Sequence, residues 1–131
     1  MPGKSQSHTD AVLNVLRGAD LTGVAPYVGL FSVAPADDNS AGTELAGNGY
    51  ARQAVTFGAP VTDAGNVRKV SNTNSITFGP ALADWAQAVA FGVFASAGGA
   101  LLYWDVLPTP KTVQQDDYGQ FGVGTLVVKE D

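Results

Sequence analysis

The feature that most limits the fold of this chain is a series of short apolar runs separated by Gly, Pro, Asn and Asp. Such runs, rich in aromatic and β-branched residues, are typical of strands, and seven or eight of them predict a sandwich or jelly-roll-like barrel. Pro108 and Pro110 predict that regular pairing ends after residue 107. The runs cover residues 26–33, 50–57, 67–70, 75–78, 88–95, 100–107 and 121–128. We therefore predict an all-β, single-domain fold.

One short helix is predicted ahead of the strands. Polar side chains at residues 7–10 can cap its start, and Gly18 is suited to end it. Apolar side chains recur between them at helical spacing, at Ala11, Val12, Val15 and Leu16. We predict a polar N-terminal arm at residues 1–8 and a β domain at residues 9–131 that begins with a helix over about residues 9–17. A helix of this length needs a surface on which to pack.

The composition excludes several classes of protein. A chain of 131 residues has room for about one domain. The absence of cysteine excludes a disulfide-stapled module and a cysteine-ligated zinc site. Charged residues make up only 15%, which is too few for a coiled coil, and hydrophobic residues reach 45%, which is too many for a disordered chain.

The charge pattern argues against nucleic acid as a direct partner. The net charge is −5, and the longest basic run is the pair Arg68 and Lys69. A nucleic-acid-binding surface needs clustered basic residues to displace counterions from phosphate. No run approaches 18 uninterrupted apolar residues, so no membrane span is expected either.

The candidates for catalysis or ligand binding are few. The one histidine, His8, lies in the predicted arm, where a solvated role is the simplest interpretation. Adjacent carboxylates occur at residues 37–38 and 116–117, but neither pair has the spacing of a calcium loop, and acids in such loops are usually solvated. We predict no catalytic residue, no cofactor and no metal site.

The runs at residues 88–95 and 100–107 are apolar on both faces, whereas one face of a sandwich strand normally meets water. Either the N-terminal helix covers the second face, or a neighbouring subunit does, and the two explanations are compatible. We expect three copies to meet through these runs or Trp85, and the arm and the loop at 34–48 to face a partner. The predicted oligomer and partner interface comprises Trp85, Val89, Phe91, Phe94, Leu102, Trp104, Asp37 and Asp38.

The order and spelling of several segments resemble a known family. The segments are YVGLF at 27–31, GYARQ at 49–53, ITF at 76–78, ADW at 83–85, FGVF at 91–94 and PTPKTV at 108–113. Together they resemble a family of small structural proteins of tailed bacteriophages, often labelled tail fibre proteins and similar to capsid cement or decoration proteins. The resemblance covers about residues 11–128. One departure is Asp116, which stands where the family has a turn glycine before the last strand.

The resemblance implies a non-enzymatic structural role in the virion. We expect a cement or decoration protein that binds the major capsid protein on the capsid surface, as an oligomer and most simply a homotrimer. A small subunit of the tail or its fibres, with receptor binding as one task, is the alternative. The cement interpretation is favoured because a fibre usually needs length, repeats or a coiled-coil shaft, which this sequence lacks.

Overall fold

The computed structural model describes residues 3–21, 23–36 and 42–130, so Asp37 and Asp38 of the predicted interface lie outside the described residues. Helix α1 spans Gln6–Asn14 and continues as a 3₁₀ turn over Val15–Arg17. A second 3₁₀ turn covers Ala64–Asn66. The strands are β1 Gly3–Lys4, β2 Tyr27–Val33, β3 Thr43–Glu44, β4 Gln53–Ala54, β5 Val61–Thr62, β6 Arg68–Ser71, β7 Ile76–Phe78, β8 Ala88–Phe94, β9 Leu101–Lys111, β10 Gly119–Phe121 and β11 Val127–Glu130.

The strands form three antiparallel sheets around a shared core. The six-stranded sheet has the order β1-β9-β8-β2-β3, and β4 also pairs with β2. A two-stranded sheet (β10-β7) and a three-stranded sheet (β11-β6-β5) contribute to the same core. Its buried side chains include Val28, Leu30, Ile76, Phe78, Phe91, Val93, Phe121, Leu126 and Val128. The all-β prediction with one short N-terminal helix is confirmed.

The second face of β8 forms a smaller apolar cluster within the same chain. Phe31 and Phe94 stack with their ring centroids 6.0 Å apart, and Ala90 lies with them in the cluster. The Arg52 guanidinium covers the Phe94 ring, with its central carbon 3.5 Å from the ring centroid. This face is therefore covered by residues of the six-stranded sheet and its loops, whereas helix α1 packs near the start of β9 instead.

The N-terminal segment differs from the predicted arm. Gly3 pairs with Trp104 and Lys4 with Tyr103, which makes β1 an edge strand of the large sheet. The hydroxyl of the buried Ser5 accepts a hydrogen bond from the backbone N–H of His8 and caps the helix. The helix consequently begins three residues earlier than the polar pattern at residues 7–10 suggested. Within the described ranges, no helix has the length and apolarity needed to cross a membrane.

Candidate functional site

A cleft opens beside the three-stranded sheet, where the start of β9 and helix α1 approach it. It has two adjoining hollows, of about 390 Å³ and about 190 Å³. Val70, Tyr103 and Val128 line both hollows. The other lining residues of the smaller hollow are His8, Val24, Pro26, Phe57, Val93 and Leu102. A concave, mostly apolar surface with a few polar groups is the usual form of a binding site. We call it the intersheet cleft.

One rim of the intersheet cleft carries a linked set of polar groups. Lys4 Nζ donates a hydrogen bond to Glu130 Oε1, and the Tyr103 hydroxyl donates to Glu130 Oε2 at 2.5 Å. Burial acts to raise the pKa of Glu130, but the hydrogen bonds from Lys4 and Tyr103 outweigh it and lower that pKa. Burial and the bond to Glu130 raise the pKa of the Tyr103 phenol above its ordinary range. The phenol is therefore a protonated donor at neutral pH.

Three cations lie along the three-stranded sheet and line the larger hollow. Lys129 Nζ is 2.9 Å from Asp63 Oδ2, and Lys69 Nζ is 3.6 Å from Asp63 Oδ1. The hydrogen bond from Lys129 is the largest influence that lowers the pKa of Asp63, to about 2. Arg68 donates to a neighbouring threonine hydroxyl at 2.7 Å and, among the residues described, has no carboxylate partner. Two of the three cations thus share one carboxylate.

His8 belongs to α1 and faces the smaller hollow, rather than lying in a solvated arm. Its ring meets the Tyr103 ring edge-on, with the centroids 5.1 Å apart. Burial, and then the charge of Lys4, lowers the pKa of His8, so the imidazole is neutral at pH 7. Over the described part of the chain, no three His, Cys, Asp or Glu side chains group as metal ligands. The cleft offers an apolar surface with charged rims.

A second polar cluster lies on the other face of the large sheet, and we call it the Arg52 network. Arg52 Nε and Nη2 each donate to Glu44 at 2.9 Å, and the Tyr50 hydroxyl donates to Glu44 at 2.7 Å. Arg52 Nη1 also donates to two carbonyls of the β8–β9 turn, at 3.0 and 3.3 Å, and its guanidinium stacks on Phe94. Burial, followed by the bond to Glu44, raises the pKa of Tyr50. These groups satisfy one another, which indicates a structural role.

The residues of the predicted interface separate into two groups. Trp85, Phe91 and Phe94 are only 6%, 6% and 4% exposed and contribute to the protomer's own apolar clusters. The Trp85 indole also donates to the Asn48 carbonyl at 2.9 Å. The remaining described members, Val89, Leu102 and Trp104, are partly exposed. Contact between copies through this set stays a prediction.

The sequence pattern did not reveal the most exposed apolar region. Leu13 and Leu16 of the helical segment are 55% and 86% exposed, although the helical spacing places Leu16 on the predicted packed face. It also missed Asn72, whose buried side chain donates to the Asn74 and Gly122 carbonyls and accepts from the Leu126 N–H. A signal for Asn72 was present, because asparagine within a break between two strands often bonds to nearby backbone groups.

The comparisons with known proteins agree with the resemblance seen in the sequence. The model of a family described as "Podophage GP4 fiber I protein gp80" matches residues 3–129, almost the whole chain. A search of curated proteins gave no match. The matched region contains helix α1 and every strand described above except the last residue of β11. The chain therefore belongs to the gp80 fibre protein family, a family of tailed-phage virion structural proteins.

Proposed function

We propose that this protein is a structural subunit of the tail fibres of a tailed phage and acts without catalysis. The observation that carries the proposal is the match of residues 3–129 to a family described as a podophage fibre protein. The match covers nearly the whole folded unit, so the family description applies to the entire β domain. This favours the tail location over the capsid location that the sequence alone favours.

The surface chemistry of the protein supports a role in assembly. The intersheet cleft combines apolar walls with charged rims, and the region after residue 12 presents large aliphatic side chains to solvent. Apolar surface rimmed by polar groups commonly marks contacts between proteins. The imidazole of His8 packs edge-on against the Tyr103 ring, and this contact fits a structural role for His8 better than a catalytic one.

The experiment that tests this proposal is localisation in the intact particle. Antibodies raised against the purified protein should label purified virions at the tail fibres, as seen by immunogold electron microscopy. Label distributed over the capsid would overturn the fibre proposal and support a decoration role. A phage that lacks the gene should then show which structure is lost, with a complemented phage as the control.

A decoration protein remains the second candidate because of one observation. The described chain is a compact sheet structure whose longest helix is α1, with 9 residues, so nothing in the described part supplies a coiled-coil shaft. On that alternative the partner is the major capsid protein, and a homotrimer through Val89, Leu102 and Trp104 is the predicted form. Capsid label in the same experiment would favour this candidate.

A further inference from the structure

The helical segment at residues 6–17 has an inner and an outer side. His8, Ala11 and Val12 are partly buried and share the side that faces the sheet. Asp10, Leu13, Leu16 and Arg17 are exposed and lie on the opposite side. At about 100° per residue, Asp10, Leu13 and Arg17 fall on one stripe, with Leu16 beside it. We call these four residues the outer helix face.

The outer helix face is unusually apolar for a solvated surface. Leu13 is 55% exposed and Leu16 is 86% exposed. Three further aliphatic side chains that are 44–51% exposed occur in the same stretch of the chain: Val15, Leu21 and Val24. Scattered exposed aliphatics are ordinary, but a concentration of them marks an interaction site. A short helix also gains most of its stability from packing. A partner that covers this face would supply that packing.

The charges on the outer helix face indicate which partner fits. Asp10 precedes Leu13 by three residues and Arg17 follows it by four, so the two opposite charges flank the leucine about equally. Neither residue takes part in an ion pair with any residue that the structure describes. Arg17 donates a hydrogen bond to the Asn14 side chain at 3.3 Å, within its own helical segment. In an antiparallel pair of such helices, the negative end of each face would lie opposite the positive end of the other. The outer helix face is thus complementary to a second copy of itself.

We infer that the outer helix face binds the same face of a second copy of this chain, with the two helices antiparallel. A two-fold axis near Leu13 then places each Asp10 opposite the Arg17 of the other copy and brings the leucines together. A contact of this type is isologous, since the same patch serves both subunits.

The test is the oligomeric state of the purified full chain, measured by sedimentation equilibrium from about 1 to about 100 μM. We expect a dimer, and Leu16→Asp should raise its dissociation constant at least about tenfold. Leu16→Ala, which preserves helix propensity, should weaken the dimer in the same direction. The matched control is Leu82→Asp, because Leu82 is also highly exposed, at 68%, but lies in the loop between β7 and β8, where its backbone N–H donates to the Asn48 carbonyl.

Charge reversal tests the antiparallel arrangement. Asp10→Arg and Arg17→Glu should each weaken the dimer about tenfold, because each places like charges opposite one another. The double variant carries both reversals and should recover affinity to within about threefold of the wild type. Circular dichroism should show an unchanged fold throughout. A monomer at every concentration, a trimer that Leu16→Asp leaves intact, or failure of the double variant to recover affinity would each overturn the inference.

Discussion

The Arg52 network and the outer helix face differ in how far their charged and apolar side chains are paired and covered within the protomer. In the Arg52 network, Glu44 and Arg52 are joined by two hydrogen bonds of 2.9 Å, and the guanidinium covers an aromatic ring. On the outer helix face, Asp10 and Arg17 are exposed, and Leu16 beside them is 86% exposed. The charged groups of the Arg52 network are paired within one protomer. The charged and apolar side chains of the outer helix face are instead exposed and available to bind another molecule.

The difference shows which parts of the surface are available for assembly. A charge that is already paired and partly buried contributes to the stability of the fold, because removal of one partner leaves the other desolvated. A charge on an exposed helix contributes little to folding, so its substitution should affect association more than stability. The same kind of substitution should therefore have opposite consequences in the two regions.

The largest contrast is expected from the removal of a carboxylate. Glu44→Ala removes the carboxylate that accepts hydrogen bonds from Arg52 and the Tyr50 hydroxyl in a partly buried site, where the Arg52 side chain is 20% exposed. We expect a loss of about 3 kcal/mol in the free energy of unfolding. Asp10→Ala is the matched control, with an expected change within about 0.5 kcal/mol. Urea denaturation of both variants, monitored by fluorescence at a concentration that favours the monomer, measures the difference. Equal losses of unfolding free energy in Glu44→Ala and Asp10→Ala would contradict the proposed difference between the Arg52 network and the outer helix face.

A second contrast uses glycine. A Cβ atom at Gly29 would lie 2.6 Å from Glu44 Oε2, 2.8 Å from the Tyr50 hydroxyl and 2.9 Å from Phe94 Cε1. Gly29→Ala should therefore displace the Arg52 network and cost about 2 kcal/mol. At Gly23, which follows the helical region, a Cβ atom would meet no atom within 4 Å. Gly23→Ala should leave the stability unchanged or slightly higher, by up to about 1 kcal/mol. Thermal unfolding of the two variants provides the comparison, and a stable Gly29→Ala protein would contradict it.

The smallest effect concerns the exposed ion pairs of the intersheet cleft. The hydrogen bond from Lys129 lowers the pKa of Asp63 from 3.8 to about 2. The ionised Asp63 therefore stabilises the folded state fully at pH values above 3.8, and its stabilising contribution is lost as the pH falls towards 2. Asp63→Asn should flatten the acid limb of the stability curve in that window. Asp117→Asn, in an exposed turn, serves as the control. Urea titrations from about pH 5 to about pH 2 would test this, and an unchanged acid limb in Asp63→Asn would argue against the pair.

Much of the fold was predictable because the strongest strands carry local signals. The runs at 26–33 and 88–95 correspond to β2 and β8, both rich in residues that favour strands. The run at 121–128 instead divides between β10 and β11, because Gly122 and Thr125 close a turn with Gly124 at φ 81°. Strand β9 continues through Pro108 and Pro110 to Lys111. Among the described strands, none pairs with the edge of β9 opposite β8 at these prolines, so a backbone N–H is not required there for a ladder hydrogen bond.

The surface was harder to predict, because exposure depends on which elements meet. Trp85 and Phe91 are large apolar residues of the kind found at interfaces, yet both are buried within the protomer, Trp85 against Tyr50 and Phe91 against Phe121. Leu13 follows an ordinary helical pattern, and only the position of α1 at the sheet edge leaves it exposed. The sequence of residues 42–52 does not predict the Arg52 network. The network forms because β3 and the β8–β9 turn, which are far apart in the chain, both contact Arg52 in the folded protein.

The ion pair between Lys4 and Glu130 has a consequence for how this domain can be joined to others. It holds β1 and β11, the first and last strands described, beside each other. Any polypeptide attached before Lys4 and any attached after Glu130 would leave the domain at nearly the same point. A fused neighbour at either end would therefore emerge on one side of the domain. Such closely placed ends also suit a circularly permuted chain.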